Sequence, residues 1–115
     1  MRWRVTERHG SEVTKGTFDT LYEAIEHARA RVDAALREGR LGTVKLLREF
    51  TPDKRVQSRL EISAARLFRG PEAGVDVMGD GAVVAYAGSI RKRVLEADTL
   101  DEAFERLREE LERGR

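Results

Sequence analysis

The sequence predicts an α+β fold in two layers, an antiparallel β-sheet of about six to seven strands packed against two α-helices. Three observations predict it. Two amphipathic segments open on the same start signal, runs of alternating apolar and polar residues lie before and between them, and these strand-like runs follow one another instead of alternating singly with helices. The expected order is ββα, then five strands, then α.

The elements follow in turn. Trp3 and Val5 alternate with Arg2 and Arg4 in a first strand, and Glu12 to Phe18 reads as its hairpin partner across His9-Gly10-Ser11. A first helix runs from about Leu21 to Glu38, with Leu21, Ile25, Ala28 and Val32 on one face and Gly39 and Gly42 as C-terminal exits. Thr43 to Phe50 reads as a strand with Val44, Leu46 and Phe50 on one side, and Thr51-Pro52-Asp53-Lys54 as the turn after it. Val56, Ser58, Leu60, Ile62 and Ala64 then alternate with Gln57, Arg59, Glu61 and Ser63, a strand with one dry and one wet face. Arg69 to Gly74 reads as a loop and Val75 to Met78 as a strand. Gly79-Asp80-Gly81 is a tight hairpin signal leading into Ala82 to Ala87. Gly88 marks a bulge or sharp bend before a strand over Ser89 to Leu95. The second helix spans about Leu100 to Arg113, with Leu100, Phe104, Leu107 and Leu111 on its apolar face and Gly114 at its end.

An internal echo links the two helices. Asp19-Thr20-Leu21-Tyr22-Glu23-Ala24-Ile25-Glu26 recurs as Asp98-Thr99-Leu100-Asp101-Glu102-Ala103-Phe104-Glu105. Its physical content is a capping box, in which Thr20 and Thr99 accept from the amide three residues on while Glu23 and Glu102 reach back to the cap amide. The echo suggests two ββα units, each laying its helix on its own hairpin. No flexible linker separates the halves, so residues 1–115 are read as a single domain with one core.

Composition bounds the function. Of the 115 residues, 40% are hydrophobic and 37% charged, enough apolar material for a core without a metal or disulfide staple. Cysteine is absent, which removes thiol catalysis and thiolate zinc sites. The formal net charge of +1 excludes a polybasic coat or an acidic tail as the character of the whole chain. No apolar run approaches the roughly 18–20 residues of a membrane span. The start Met1-Arg2-Trp3-Arg4 lacks the apolar core of a signal segment. A cytoplasmic protein without a membrane partner is expected.

Catalytic types are sparse. His9 falls in a hairpin loop, and His27 falls on the flank of the first helix as a surface histidine. Ser11, Ser58, Ser63 and Ser89 sit in turn or strand contexts instead of a nucleophile elbow. Asp76 and Asp80 flank the glycine turn, both facing solvent, without the ligand spacing of a calcium loop. Gly79-Asp80-Gly81 precedes no phosphate-binding helix. The expected catalytic, cofactor-binding and metal-binding sets are therefore empty, and no cofactor is expected. A small-ligand pocket between the first helix and the sheet, near Tyr22 and His27, is the weaker enzymatic alternative.

Charge is distributed unevenly, at +4 from Leu41 to Gly70 and −4 from Leu95 to Arg115. Such polarity suits a protein-interaction and regulatory module that selects a complementary partner or a copy of itself, and an open sheet has edges for a second subunit to cover. The alternative is a nucleic-acid-binding accessory protein, with Arg59, Arg66, Arg91, Lys92 and Arg93 lying along a phosphate backbone. Against it, Trp3, Phe18, Phe50, Phe68 and Phe104 all fall at positions expected to be buried, whereas sheets that read single strands interleave exposed aromatics with bases. The stretch Gly16 to Ala24 resembles the strand-to-helix junction of the arm-type DNA-binding domains of phage integrases, in which a sheet enters the major groove. The resemblance covers about nine residues. Glu7 and Glu12 interrupt the basic hairpin such domains show, so no residue roles are carried over.

Overall fold

The computed structural model describes residues 2–38, 44–50, 55–64, 71–88 and 91–113. Seven strands and two helices follow one another as β1 (Trp3–His9), β2 (Glu12–Phe18), α1 (Leu21–Glu38), β3 (Lys45–Leu46), β4 (Val56–Ala64), β5 (Glu72–Met78), β6 (Ala82–Ala87), β7 (Arg93–Leu95) and α2 (Leu100–Arg113). They form one mostly antiparallel sheet in the order β2-β1-β4-β5-β6-β3, with β7 also on the outer side of β6. Both helices pack on the same face, α1 over β1, β2 and β4, and α2 over β5, β6 and β7. The core between the layers holds Trp3, Val5, Leu60, Ile62, Val75 and Val83 from the strands, and Ala24, Ala28, Val32, Phe104, Leu107 and Leu111 from the helices.

The start signals work as caps, with one difference. The Glu23 amide donates to Thr20 Oγ1 at 3.1 Å and the Glu102 amide to Thr99 Oγ1 at 3.1 Å. Glu23 accepts the Thr20 hydroxyl at 2.9 Å instead of the cap amide, and Glu102 turns to Arg106 one turn on. Each threonine thus carries its cap through the N3 amide alone. Thr20→Ala and Thr99→Ala should each cost about 1 kcal/mol in urea denaturation. The two share no hydrogen bond, so the double substitution should cost the sum.

Three strands differ from expectation. Of the expected strand Thr43–Phe50, only Lys45 and Leu46 pair among the described residues, and they pair parallel to Ala82 and Val83. The chain then leaves the edge, and Leu47 packs over Met78, Ala82 and Val84 on the helix-free face. Phe50, expected inside, is 38% exposed, and Phe18 is half-buried. β5 starts earlier than expected, at Glu72, because Ala73 faces the core and pairs with Ile62. The last strand is confined to Arg93–Leu95 because the chain bends sharply at Gly88. There φ is +98°, the amide donates to Glu72 O at 2.8 Å, and a Cβ would meet Arg91 O at 2.5 Å. The turn at 51–54, the glycine exits at 39, 42 and 114, Phe68, Ser89 and the first two residues of the 69–74 loop lie outside the described residues.

The register reveals a pseudo-twofold relation about the sheet normal, with β2-β1-β4 on one side matching β7-β6-β5 on the other. The pair Val5↔Ile62 becomes Ala85↔Val75, Trp3↔Ala64 becomes Val83↔Val77, and Val5↔Gly16 becomes Ala85↔Leu95. Helix positions follow, so that Ala24, Ile25, Ala28 and Val32 correspond to Ala103, Phe104, Leu107 and Leu111, all buried. The sequence echo is therefore the visible part of a repeat that also includes β1–β2 and β6–β7, each hairpin lying under its own helix.

Candidate functional site

β2 forms one edge of the sheet and pairs only with β1 among the described residues. The loop Gly10–Ser11 closes on the pair His9–Glu12, and a two-residue hairpin makes its closing pair a hydrogen-bonded one. Bonded pairs then recur at Glu7–Thr14, Val5–Gly16 and Trp3–Phe18. The Gly10 amide, which turns the other way to Gln57 O, fits this alternation. Val13, Lys15 and Thr17 consequently aim their N–H and C=O groups off the sheet. The strand has neither proline nor bulge, and Val13 is 50% exposed.

The helix-free face carries the most buried charged group among the described residues. Asp76, expected in solvent, is 1% exposed and takes two hydrogen bonds from Arg59, Nε to Oδ1 at 2.7 Å and a terminal nitrogen to Oδ2 at 3.0 Å. That bond to Asp76 raises the Arg59 guanidinium further above its ordinary range. Tyr86 lies beside the pair across Gly74, where a Cβ would stand 2.5 Å from the phenol oxygen. Burial, then the Asp76 charge, pushes the phenol up, and its hydroxyl has no hydrogen-bond partner among the described residues. Lys92 covers the ring at 4.8 Å and Phe50 tilts against it at 6.1 Å.

At the hairpin tip, Ser58 Oγ lies 2.5 Å from His9 Nδ1, and His9 Nε2 lies 3.5 Å from Glu38. Hydroxyl, imidazole and carboxylate stand in the order of a nucleophilic triad. Ser58 is nevertheless fully buried, so its hydroxyl meets no substrate. The chain of contacts ties β4, β1 and the end of α1 together. The sequence offered one clue, since His9 and Ser58 both belong to the helix-facing sets of neighbouring strands, but the register joining them is a long-range property. Arg31 makes a similar tie, donating to both Glu7 oxygens at 2.8 and 3.1 Å, which raises its guanidinium.

The five cations of the nucleic-acid reading do not gather on one face. Arg59 is spent on Asp76, and Lys92 lies on Tyr86. Arg93 reaches back on the helix-bearing face to Glu110 at 3.0 Å. Arg91 is exposed, and Arg66 lies outside the described residues. Part of the charge is paired inside the molecule, and Arg48 is the cation of the basic middle segment that reaches the acidic one among the described residues. Arg48 donates to Asp98 at 2.6 Å, Arg29 to Asp101 at 2.8 Å, and Arg108 to Glu105 and Glu112. The bond from Arg108 lowers the Glu105 carboxyl and raises the guanidinium.

Tyr22 and His27 do not share a pocket with the sheet. Tyr22 is 73% exposed on a groove of about 480 Å³ between the helices, floored by Leu21, Ile25 and Phe104. His27 points away from it and rests on Phe18, ring centres 5.0 Å apart. Among the described residues, no three His, Asp or Glu side chains converge on a metal position, and no helix is long and apolar enough to cross a membrane. Compared with known proteins, the chain matches no family model, no curated protein and no solved structure.

Proposed function

We propose that the chain is a cytoplasmic, self-associating interaction module in which two copies join β2 to β2, antiparallel, into one continuous sheet. The observation that supports this reading is the uncovered, unbulged edge of β2 with its outward amides at Val13, Lys15 and Thr17. Register follows from charge. Pairing centred on Lys15 would set two ammonium groups opposite each other, which is unfavourable. Centring on Thr14 sets Thr14 against its own copy and Lys15 against the partner's Val13, a better cross-strand match. Lys15 thereby disfavours one register while leaving the other open. The scattered cations lend no comparable support to nucleic-acid binding.

One strand pair buries less than the roughly 800 Å² per partner of a standard interface, so association is read across a concentration series. Light scattering should show the mass rising from 13.0 kDa to twice that value. Lys15→Pro should remain folded and monomeric, because the amide it removes points off the sheet. Thr14→Pro should instead unfold the hairpin by breaking a β1–β2 bond. A parent protein that stays at 13.0 kDa at every concentration would sink the proposal.

A further inference from the structure

We propose that the cavity between the tips of the β1–β2 and β5–β6 hairpins binds a phosphomonoester, with Arg55 and His9 holding the oxyanion. The cavity measures about 560 Å³ and is lined by His9, Ser11, Arg55, Val56 and Gln57 with Gly10 and Gly79 at the turns. That volume suits a small metabolite.

The lining is rich in donors and contains no carboxylate among the described residues. Arg55 is the telling member. Arg8 and Arg59, which line a smaller cavity of about 150 Å³ sharing Gly10, Val56 and Gln57, are both bound to acids, Glu61 and Asp76. Arg55 has no ion-pair partner among the described residues. Its main chain is fixed, because its carbonyl accepts the Gly79 amide at 3.1 Å, so the guanidinium stems from an anchored point at the cavity wall. A guanidinium offers paired donors to a tetrahedral oxyanion.

Ser58 Oγ lies 2.5 Å from His9 Nδ1, and the site uses the tautomer in which that buried hydroxyl donates to Nδ1 and the ring carries its proton on Nε2. That Nε2–H stands 3.5 Å from Glu38, beyond a good hydrogen bond, and is available to a better acceptor. Ser11 and Gln57 add hydroxyl and amide donors, and the half-exposed Val56 offers an apolar wall to the body of the ester. Glu38 is the opposing group, since its charge repels the ligand and competes for His9. This balance predicts opposite signs for two exposed positions.

The test is a titration of the full chain at constant ionic strength with phenyl phosphate, inorganic phosphate and benzoate, followed by backbone amide shifts. Phenyl phosphate should saturate and move the amides of Gly10, Ser11, Gln57 and Gly79. Inorganic phosphate should bind the same amides more weakly, lacking the contact with Val56. Arg55→Gln should weaken phenyl phosphate about tenfold, as loss of a charge-assisted contact does. Glu38→Gln should tighten it. Absence of saturation, shifts confined to other residues, unchanged affinity in Arg55→Gln, weakened affinity in Glu38→Gln, or benzoate binding as tightly as phenyl phosphate would each overturn the assignment. Both side chains are exposed, so the fold survives either change. The site does not depend on self-association, because neither the β2 outward amides nor Lys15 enters it.

Discussion

Arg59→Met should cost about 3–5 kcal/mol of folding stability, the range for stripping one partner from a buried ion pair. The reason lies in the asymmetry of the pair. The Asp76 side chain is almost wholly enclosed, whereas that of Arg59 is about a third exposed, at 31%. Removing the arginine leaves an enclosed carboxylate without its cation, beside a phenol that has no hydrogen-bond partner among the described residues. Removing the carboxylate leaves a guanidinium that can turn to solvent, so Asp76→Asn should cost less. The double substitution Arg59→Met with Asp76→Leu should recover most of the loss, since two apolar groups satisfy each other where one orphaned charge satisfies nothing. Urea denaturation with an unchanged slope is the measurement. An Arg59→Met protein within about 1 kcal/mol of the parent would mean that the pair is a surface contact in energetic terms.

Asp76 also shows where sequence reasoning runs out. The alternation Val75-Asp76-Val77 places it on the face opposite the helices, and that much is right. Whether that face is wet depends on what lies across it. The register brings Arg59 alongside from 17 residues away, and Tyr86 comes over Gly74 from the next strand. A signal did exist in β6, where Ala82-Val83-Val84-Ala85-Tyr86-Ala87 has no alternation and every residue is buried, the mark of a strand covered on both sides. The helices were legible because their information is local, with a cap, a 3.6-residue stripe and a stop within a few turns. β3 was not, because a two-residue parallel pairing has no local signature and forms only where the chain leaving α1 meets the edge of β6. The candidate site fared similarly. Arg91, Lys92 and Arg93 read as one cationic strand, but only Arg93 belongs to it, and the bend at Gly88 decides which way the other two face.

Leu107→Ala is the second large effect, and the pseudo-twofold relation says why it should fall toward the upper part of the roughly 2–5 kcal/mol range for such truncations. The two halves fill equivalent space with opposite distributions of volume. Under α1 the strands carry Trp3, Val5 and Ile62, and the helix answers with Ile25, Ala28 and Val32. Under α2 the equivalent strand positions carry the smaller Val83, Ala85 and Val75, and the helix answers with the larger Phe104, Leu107 and Leu111. Leu107 occupies the position of Ala28, and both are fully buried. Truncating it leaves small residues on both the helix and the strand positions of this half, Ala85 among them, so much of the cavity should persist. The reverse change, Ala28→Leu, should also destabilise, by about 1–3 kcal/mol, because Trp3 and the large strand residues already fill that half. Leu107→Met, which conserves volume, should cost less than about 1.5 kcal/mol. Chemical denaturation of the three variants reads the pattern directly. If Leu107→Ala and Ala28→Leu were both near neutral, the helices would not be seated on the sheet through these faces, and the repeat would be one of sequence alone.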